Sequence, residues 1–207
     1  MSRVEGRLIV ISAPSGAGKT SLVNALLERD DRLAVSVSHT TRRKRPNEVD
    51  GKHYFFVEQA KFDEMRDQGA FLEHATVFGN AYGTSHEAVA RTLADGRDVV
   101  LEIDWQGAAQ VRSRFPDAVS VFVLPPSMDA LLDRLTVRGE DGAEEIGRRW
   151  RQAVDDISHY DEFNYVVVNN DFDEAVGKLA GIIDAERRGE KARRECVTAL
   201  VEDLLQR

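Results

Sequence analysis

The sequence predicts an α/β fold in which a parallel core sheet is covered by helices on both faces. Short apolar runs recur at Arg7–Ser12, Ala34–Val37, Val99–Ile103, Val119–Leu124 and Tyr165–Val168, and read as five buried strands. Helical patterns separate several of them, and strands joined through helices run parallel. A length of 207 residues with 42% hydrophobic and 31% charged side chains supports one large core carrying smaller inserted segments.

Taken in order, the first run ends in small residues and Pro14, so a buried strand enters a tight loop. A helix follows from Lys19, with Leu22, Val23, Leu26 and Leu27 at helical spacing and Glu28, Arg29 and Asp30 marking its solvent end. Between Thr41 and Ser85 the rhythm breaks. This stretch holds the basic cluster Arg42-Arg43-Lys44-Arg45, a strand-like Tyr54–Val57, a short helix near Lys61–Gln68 and an alternating Phe71–Phe78 ending at Gly79-Asn80. It reads as an α+β insertion built on hairpins. A second break, Arg138-Gly139-Glu140-Asp141-Gly142, separates the helix Met128–Val137 from one starting near Glu144. Two glycines among charges suit a mobile lid, and equally a solvated loop. After Asp173 the pattern is helical to the end, where Val197, Leu200, Val201, Leu204 and Leu205 form one apolar stripe. Such a stripe needs a partner, either the body of the same chain or a second subunit of a homo-oligomer.

A net charge of −8 argues against broad nucleic-acid binding and leaves any anion site to local clusters. The single cysteine, Cys196, can form neither an internal disulfide nor a thiolate metal cage; it fits a reducing compartment and is expected half-buried on a helix. The polar start Met1–Arg7 and the brevity of the first apolar run fit neither a signal peptide nor a membrane span, so a cytoplasmic protein without membrane partners is expected. The five histidines, His39, His53, His74, His86 and His159, lack ligand spacing and are read as structural.

The motif that carries chemistry is Ala13-Pro14-Ser15-Gly16-Ala17-Gly18-Lys19-Thr20, followed by Ser21, between the first strand and the first helix. In that context backbone N–H groups of the loop and helix N-terminus wrap a polyphosphate, Lys19 reaches the β and γ oxygens, and the Thr20 hydroxyl ligates Mg²⁺. Ala13 stands where the consensus has its first glycine. The competing dinucleotide fingerprint fails at Ser21, where its third glycine belongs, and gives Lys19-Thr20 no role. An ordinary glycine-rich turn leaves the strand, loop, Lys-Thr and helix order unexplained. A phosphate-binding loop alone does not choose between a hydrolase, a switch and a kinase. An acceptor bearing phosphate needs planar bidentate donors, and Arg42 and Arg45, three residues apart, are candidates to face one phosphate. Four basic residues in a row are otherwise a solvated loop.

With these segments assembled, the chain resembles the guanylate kinase family over about residues 6 to 186. The resemblance rests on Ser12 to Thr20, Val37 to Arg45, Glu48 to Phe55, Phe78 to Thr84, Leu101 to Gly107 and Val168-Asn169. It implies a P-loop NTPase core with a five-stranded parallel sheet (1–38, 86–137 and 150–207), an inserted GMP-binding subdomain (39–85) and a lid (138–149). It implies ATP as phosphate donor with Mg²⁺, and GMP as acceptor. Arg42, Arg45, Tyr54 and Tyr82 match residues that hold the acceptor phosphate, and Ser38, Glu73, Thr84 and Asp104 match residues that hold guanine. A carboxylate such as Glu73 accepts from guanine N1–H and N2–H₂ together, whereas adenine presents an acceptor at N1 and leaves the charge unpaired. Glu102 and Asp104, at the end of a core strand, are candidates to orient magnesium-bound waters and the base, or simply to cap the next turn. Arg134, Arg138 and Arg149 resemble phosphate and lid arginines, and Asn169 a residue at the adenine edge of ATP. In this reading Lys19, Arg42, Arg138 and Arg149 carry the transfer by neutralising charge, and no general base is needed because the attacking phosphate oxygen is already ionised.

Trp150 departs from the aliphatic residue expected on the helix after the lid, and the tail beyond Arg187 lies outside the resemblance. Two other functions share the fold: a protein-binding module with a decayed catalytic loop, and a kinase for a ribose bisphosphate. Lys19, Thr20, Arg42, Arg45 and Arg149 speak against the first, and Glu73, Tyr82 and Thr84 against the second.

Overall fold

The computed structural model describes residues 6–137 and 143–206, and for Val137 and residues 143–146 the backbone alone. Arg138 and the expected lid loop to Gly142 lie outside the described residues. The chain is mixed α/β. Its larger sheet contains β1 (Leu8–Ser12), β2 (Leu33–Val35), β7 (Asp98–Glu102), β8 (Val119–Leu124) and β9 (Tyr165–Val168) in the order β2-β7-β1-β8-β9. It is the five-stranded parallel sheet of a P-loop NTPase fold, with β2 on β7 and β8 on β9 in parallel register. Register sets the strand bounds: Leu33 to Val35 pair with Asp98 to Val100, so β2 and β7 each begin one residue before the apolar run predicts.

By contacts the chain falls into two compact units, one comprising the chain up to Ile9 with Arg32–Ala118, the other Val10–Asp31 with the chain from Val119. The first holds a smaller sheet of β3 (His39–Thr40), β4 (Phe55–Phe56), β5 (Phe71–Val77) and β6 (Asn80–Ser85) in the order β4-β3-β6-β5. β5 and β6 form a hairpin whose two turn residues, Phe78 (φ 49) and Gly79 (φ 75), both take the left-handed conformation that matches strand twist. Behind it Phe62, from α2 (Gln59–Asp67), stacks on Phe71 with ring centroids 4.6 Å apart. Helix α3 (His86–Ala94) starts where the Ser85 hydroxyl accepts the Ala88 N–H. Helix α4 (Trp105–Arg114) follows β7.

The second unit carries α1 (Lys19–Arg29), α5 (Met128–Val137), α6 (Ala143–Ser158), α7 (Phe172–Arg187) and α8 (Thr198–Leu205). All six residues of β8 are buried, and Phe122 meets Phe163 at 5.0 Å. Helix α7 is capped by Asp171, whose Oδ1 accepts from Glu174 N–H at 2.9 Å, and packs on α1, where Arg187 pairs with Asp30 and Arg29 with Asp173.

Two expectations for the tail are corrected. The helix does not continue: α7 ends at Arg187, Gly189 follows at φ +74, and residues 190–197 have no regular structure before α8. Cys196 falls in that segment, exposed and not helical. Part of the apolar stripe finds cover within the chain, with α8 lying on α6 and Val197, Val201 and Leu204 buried, while Leu200 is half-buried and Leu205 38% exposed. Among the described residues no helix is long and apolar enough to cross a membrane.

Candidate active site

The phosphate-binding loop belongs to the second unit. Gly16 (φ +92) and Gly18 (φ +93) are left-handed on either side of Ala17, whose N–H donates to Pro14 O at 3.1 Å. Alternation of this kind turns successive N–H groups to one side and makes an anion-binding concavity. Gly18 is also the N-cap of α1 and brings no side-chain acceptor, and the first turn of α1 has no acidic residue. The N–H groups at the start of α1 and the positive end of its dipole thus suit a bound anion. Lys19 and Thr20 open the helix, Lys19 half-buried and Thr20 exposed, with Ser21 exposed after them.

Asn169, at the end of β9, reaches back across the loop. Its Nδ2 donates to Ala17 O at 2.7 Å, and a Cβ on Gly18 would lie 2.6 Å from the same nitrogen. Arg134 of α5 donates through Nη2 to Asn169 O at 3.1 Å, and its buried Nη1 has no hydrogen-bond partner among the described residues. Gly16, Gly18, Ser21, Arg134, Asn169 and Phe172 line an open cleft of about 480 Å³. Phe172, 43% exposed at the start of α7, brings an aromatic face to it, which the sequence reading missed. Arg149 lies half-buried on α6. The donors suit a magnesium-bound polyphosphate: Mg²⁺ keeps most of its waters and takes few protein oxygens beside those of phosphate, and Thr20 offers one hydroxyl next to the loop.

The acceptor residues all lie in the first unit, most of them on or beside the small sheet and Glu102 and Asp104 at and just past the end of β7. Glu73 on β5 pairs directly with Thr84 on β6, and Thr84 Oγ1 lies 3.1 Å from the Ser38 hydroxyl. Glu73 is 2% exposed and Thr84 0%. Two residues back along β6, Tyr82 shares the face of Thr84 and meets Tyr54 at 5.9 Å between ring centroids. The Arg42 guanidinium sits 5.4 Å from the Tyr54 ring centroid. Along β6, Thr84 therefore lies beside a hydroxyl and carboxylate group, and Tyr82 beside a cationic and phenolic one.

Burial sorts the basic cluster two and two. Arg42 and Arg45 are half-buried, while Arg43 and Lys44 are exposed. Glu48 joins the first pair: Arg42 Nη2 donates to its Oε1 at 2.6 Å and the Arg45 N–H to its Oε2 at 2.8 Å. Burial works against the ionised form of Glu48, but these bonds outweigh it and hold the carboxyl below its ordinary range. Burial first, and then Tyr82 and Glu102, push the Tyr54 phenol up to about 12, so it remains a donor at neutral pH. Glu48 appears in the sequence only as part of a block; its spacing from Arg42 and Arg45 in a loop was the available signal.

Asp104 is the N-cap of α4, accepting the Gly107 N–H at 2.9 Å, so of the two carboxylates at the strand end it is the one that caps the next turn. Glu102 is the last residue of β7. Helix α4 also grips β5, an edge strand. Gln110 accepts the His74 N–H at 3.1 Å and donates to His74 O at 2.7 Å, as a neighbouring strand would, and Arg114 donates to Leu72 O at 2.6 Å. Glu73 sits between these two anchored residues. Sequence reasoning missed Gln110 and Arg114, whose spacing shows only one helix face.

The chain is similar to known proteins over most of its length. The family model described as guanylate kinase matches residues 5–186. The guanylate kinase of Alkalilimnicola ehrlichii is 53% identical over 200 residues, covering 97% of this chain and 98% of that protein. That of Hahella chejuensis is 57% identical over 182 residues, 88% of each. That of Escherichia coli strain K12 is 53% identical over 203 residues, 97% of this chain and 98% of that protein. The crystal structure of guanylate kinase from Anaplasma phagocytophilum superposes with a TM-score of 0.75 at 34% identity, covering 90% of this chain and 88% of the other. A P-loop core sheet, a hairpin sheet gathering arginines, tyrosines and a buried glutamate, and relatives matched over nearly their whole length have one common explanation: this chain belongs to the guanylate kinase family.

Proposed function

We propose that the chain transfers the γ-phosphate of Mg-ATP to the phosphate of GMP, and of dGMP, giving ADP and the nucleoside diphosphate, and that it serves purine nucleotide recycling in the cytoplasm. The observation that carries this reading is the pairing of buried Glu73 with Thr84 beside Ser38, two residues along β6 from the Tyr82, Tyr54 and Arg42 group. A purine with donors at N1 and N2 satisfies the carboxylate, and a monophosphate satisfies the guanidinium and phenols.

In this reading Ser38, Glu73, Thr84 and Asp104 hold the base, and Arg42, Arg45, Tyr54 and Tyr82 hold the acceptor phosphate with an unprotonated oxygen ready to attack. The loop from Ala13 to Ser21 wraps the donor phosphates, Lys19 neutralises charge that builds on the transferred group, and Arg134 and Asn169 support the nucleotide. Arg138 and Arg149 act as further cations, the segment 138–149 serves as lid, and 39–85 serves as the GMP-binding insertion. Mg²⁺, held by Thr20 and by waters that Glu102 orients, supplies charge neutralisation between the donor phosphates when bound. Positioning and electrostatics carry the rate, since the nucleophile needs no base.

The test is ADP release from Mg-ATP by the purified chain offered GMP, dGMP, AMP, UMP and a ribose bisphosphate separately. Release with GMP and dGMP and little with AMP is expected. A folded protein inactive with every acceptor would point instead to a binding module.

A further inference from the structure

Gly107 is the third residue of α4 and takes an ordinary helical backbone conformation that any residue adopts. Glycine is among the poorest helix formers, so nothing in the backbone calls for it there. Its surroundings do. A Cβ on Gly107 would stand 2.4 Å from Glu73 Oε2, 3.2 Å from Glu73 Cδ and 3.3 Å from Asp104 Oδ1. The first of these is closer than any real Cβ contact, and Asp104 is itself fixed as the cap that accepts the Gly107 N–H.

The strand cannot retreat to relieve the clash. Gln110 holds both polar groups of the His74 backbone and Arg114 holds Leu72 O, so β5 is pinned to α4 on either side of Glu73. On its other side Glu73 pairs with Thr84 in β6. With Glu73 2% exposed and its strand fixed, the carboxylate would have to turn away from its present place.

We propose that Gly107 is a positioning residue for base recognition: the space left by its missing side chain is where the Glu73 carboxylate is held to read the acceptor's base. The proposal rests on the reading of Glu73 as the guanine acceptor. It makes α4, a helix with no side chain expected to touch the base beyond its cap Asp104, the element that sets base selectivity. Helix stability is given up at one position so that a carboxylate can occupy it.

The test is steady-state kinetics of full-length Gly107→Ala, Glu73→Ala and the double variant, with melting temperatures. Gly107→Ala is expected to raise KM for GMP about tenfold or more, the scale of one charged hydrogen bond, with KM for ATP changed less than about twofold. Its melting temperature should fall while Glu73 is in place, because overpacking against a buried side chain outweighs alanine's better helix propensity, and the double variant should regain what the clash costs. In the Glu73→Ala background the same substitution should add no further change in KM for GMP, since no carboxylate remains to displace. A wild-type KM in Gly107→Ala, or an equal loss in both backgrounds, overturns the proposal. A wild-type KM in Glu73→Ala overturns the reading of Glu73 beneath it, a separate and recognisable result. Should Gly107→Ala alone fail to fold while the double variant folds, the clash with Glu73 is established; failure of both places the clash elsewhere and ends the proposal.

Discussion

The Arg42 guanidinium donates to one carboxylate oxygen of Glu48 at 2.6 Å while the other oxygen accepts the Arg45 N–H at 2.8 Å. One acidic side chain thus holds the two basic residues proposed for the acceptor phosphate, and stops a flexible guanidinium from spending entropy when the phosphate arrives. Glu48→Gln keeps the volume and loses the charge. KM for GMP should rise about three- to tenfold with kcat changed less, the scale of one weakened charge-assisted bond. An unchanged KM in steady-state assays would show that Arg42 needs no brace. Because the Glu48 carboxyl is held below its ordinary 4.5, its contribution to stability is complete above that pH and is lost only as pH falls through the lowered value.

His39 lies 4.8 Å from the Phe55 ring and 5.7 Å from Phe71. Burial lowers its pKa from the ordinary 6.5, with the Asp50 carboxylate pulling the other way. A depressed histidine stabilises the fold fully above 6.5, and that contribution is lost as pH falls through the folded value, since the unfolded chain takes up the proton first. Melting temperatures of wild type and His39→Phe should therefore converge or cross as pH is lowered from 7.5 to 5, with the variant less acid-sensitive. Parallel curves would remove His39 from the acid response.

Asn169 donates to Ala17 O across 152 positions of sequence, and the bond is buried. Asn169→Ala leaves that carbonyl without this donor and should cost about 1–3 kcal/mol of stability. Asn169→Asp should be worse, because it sets an acceptor against an acceptor. KM for ATP is expected to rise in both. Thermal melts and ATP kinetics check the order; an aspartate variant as stable as wild type would contradict the brace.

Lys19 opens α1 directly after the two left-handed glycines. Lys19→Ala should cut kcat by about a hundredfold or more while the melting temperature stays near wild type, since charge rather than packing is removed. Turnover near wild type in that variant would overturn the proposed phosphate site.

Much of the fold was legible because its signals are local. The run of β8 and the helix α5 begin and end where periodicity puts them, and the loop before Lys19 announces itself by strand, glycines and Lys-Thr in order. Where reading by pattern failed, the deciding interaction was distant or local geometry intervened. A helical pattern after Asp173 concealed the break at Gly189 and the exposure of Cys196, and β2 took its bounds from its partner β7.

By itself the sequence determined which residue types were available and in what order: a phosphate-binding loop, a basic cluster, aromatic and acidic residues in blocks. Tertiary structure decided which of them meet. It separated Arg42 and Arg45 from Arg43 and Lys44 by burial, set Glu73 opposite Thr84, covered α8 with α6, and emptied the space at Gly107 for a carboxylate 34 positions away. The physical reason is that backbone propensity and turn chemistry act within a few residues, whereas burial, register and close approach exist only once separate segments are packed together.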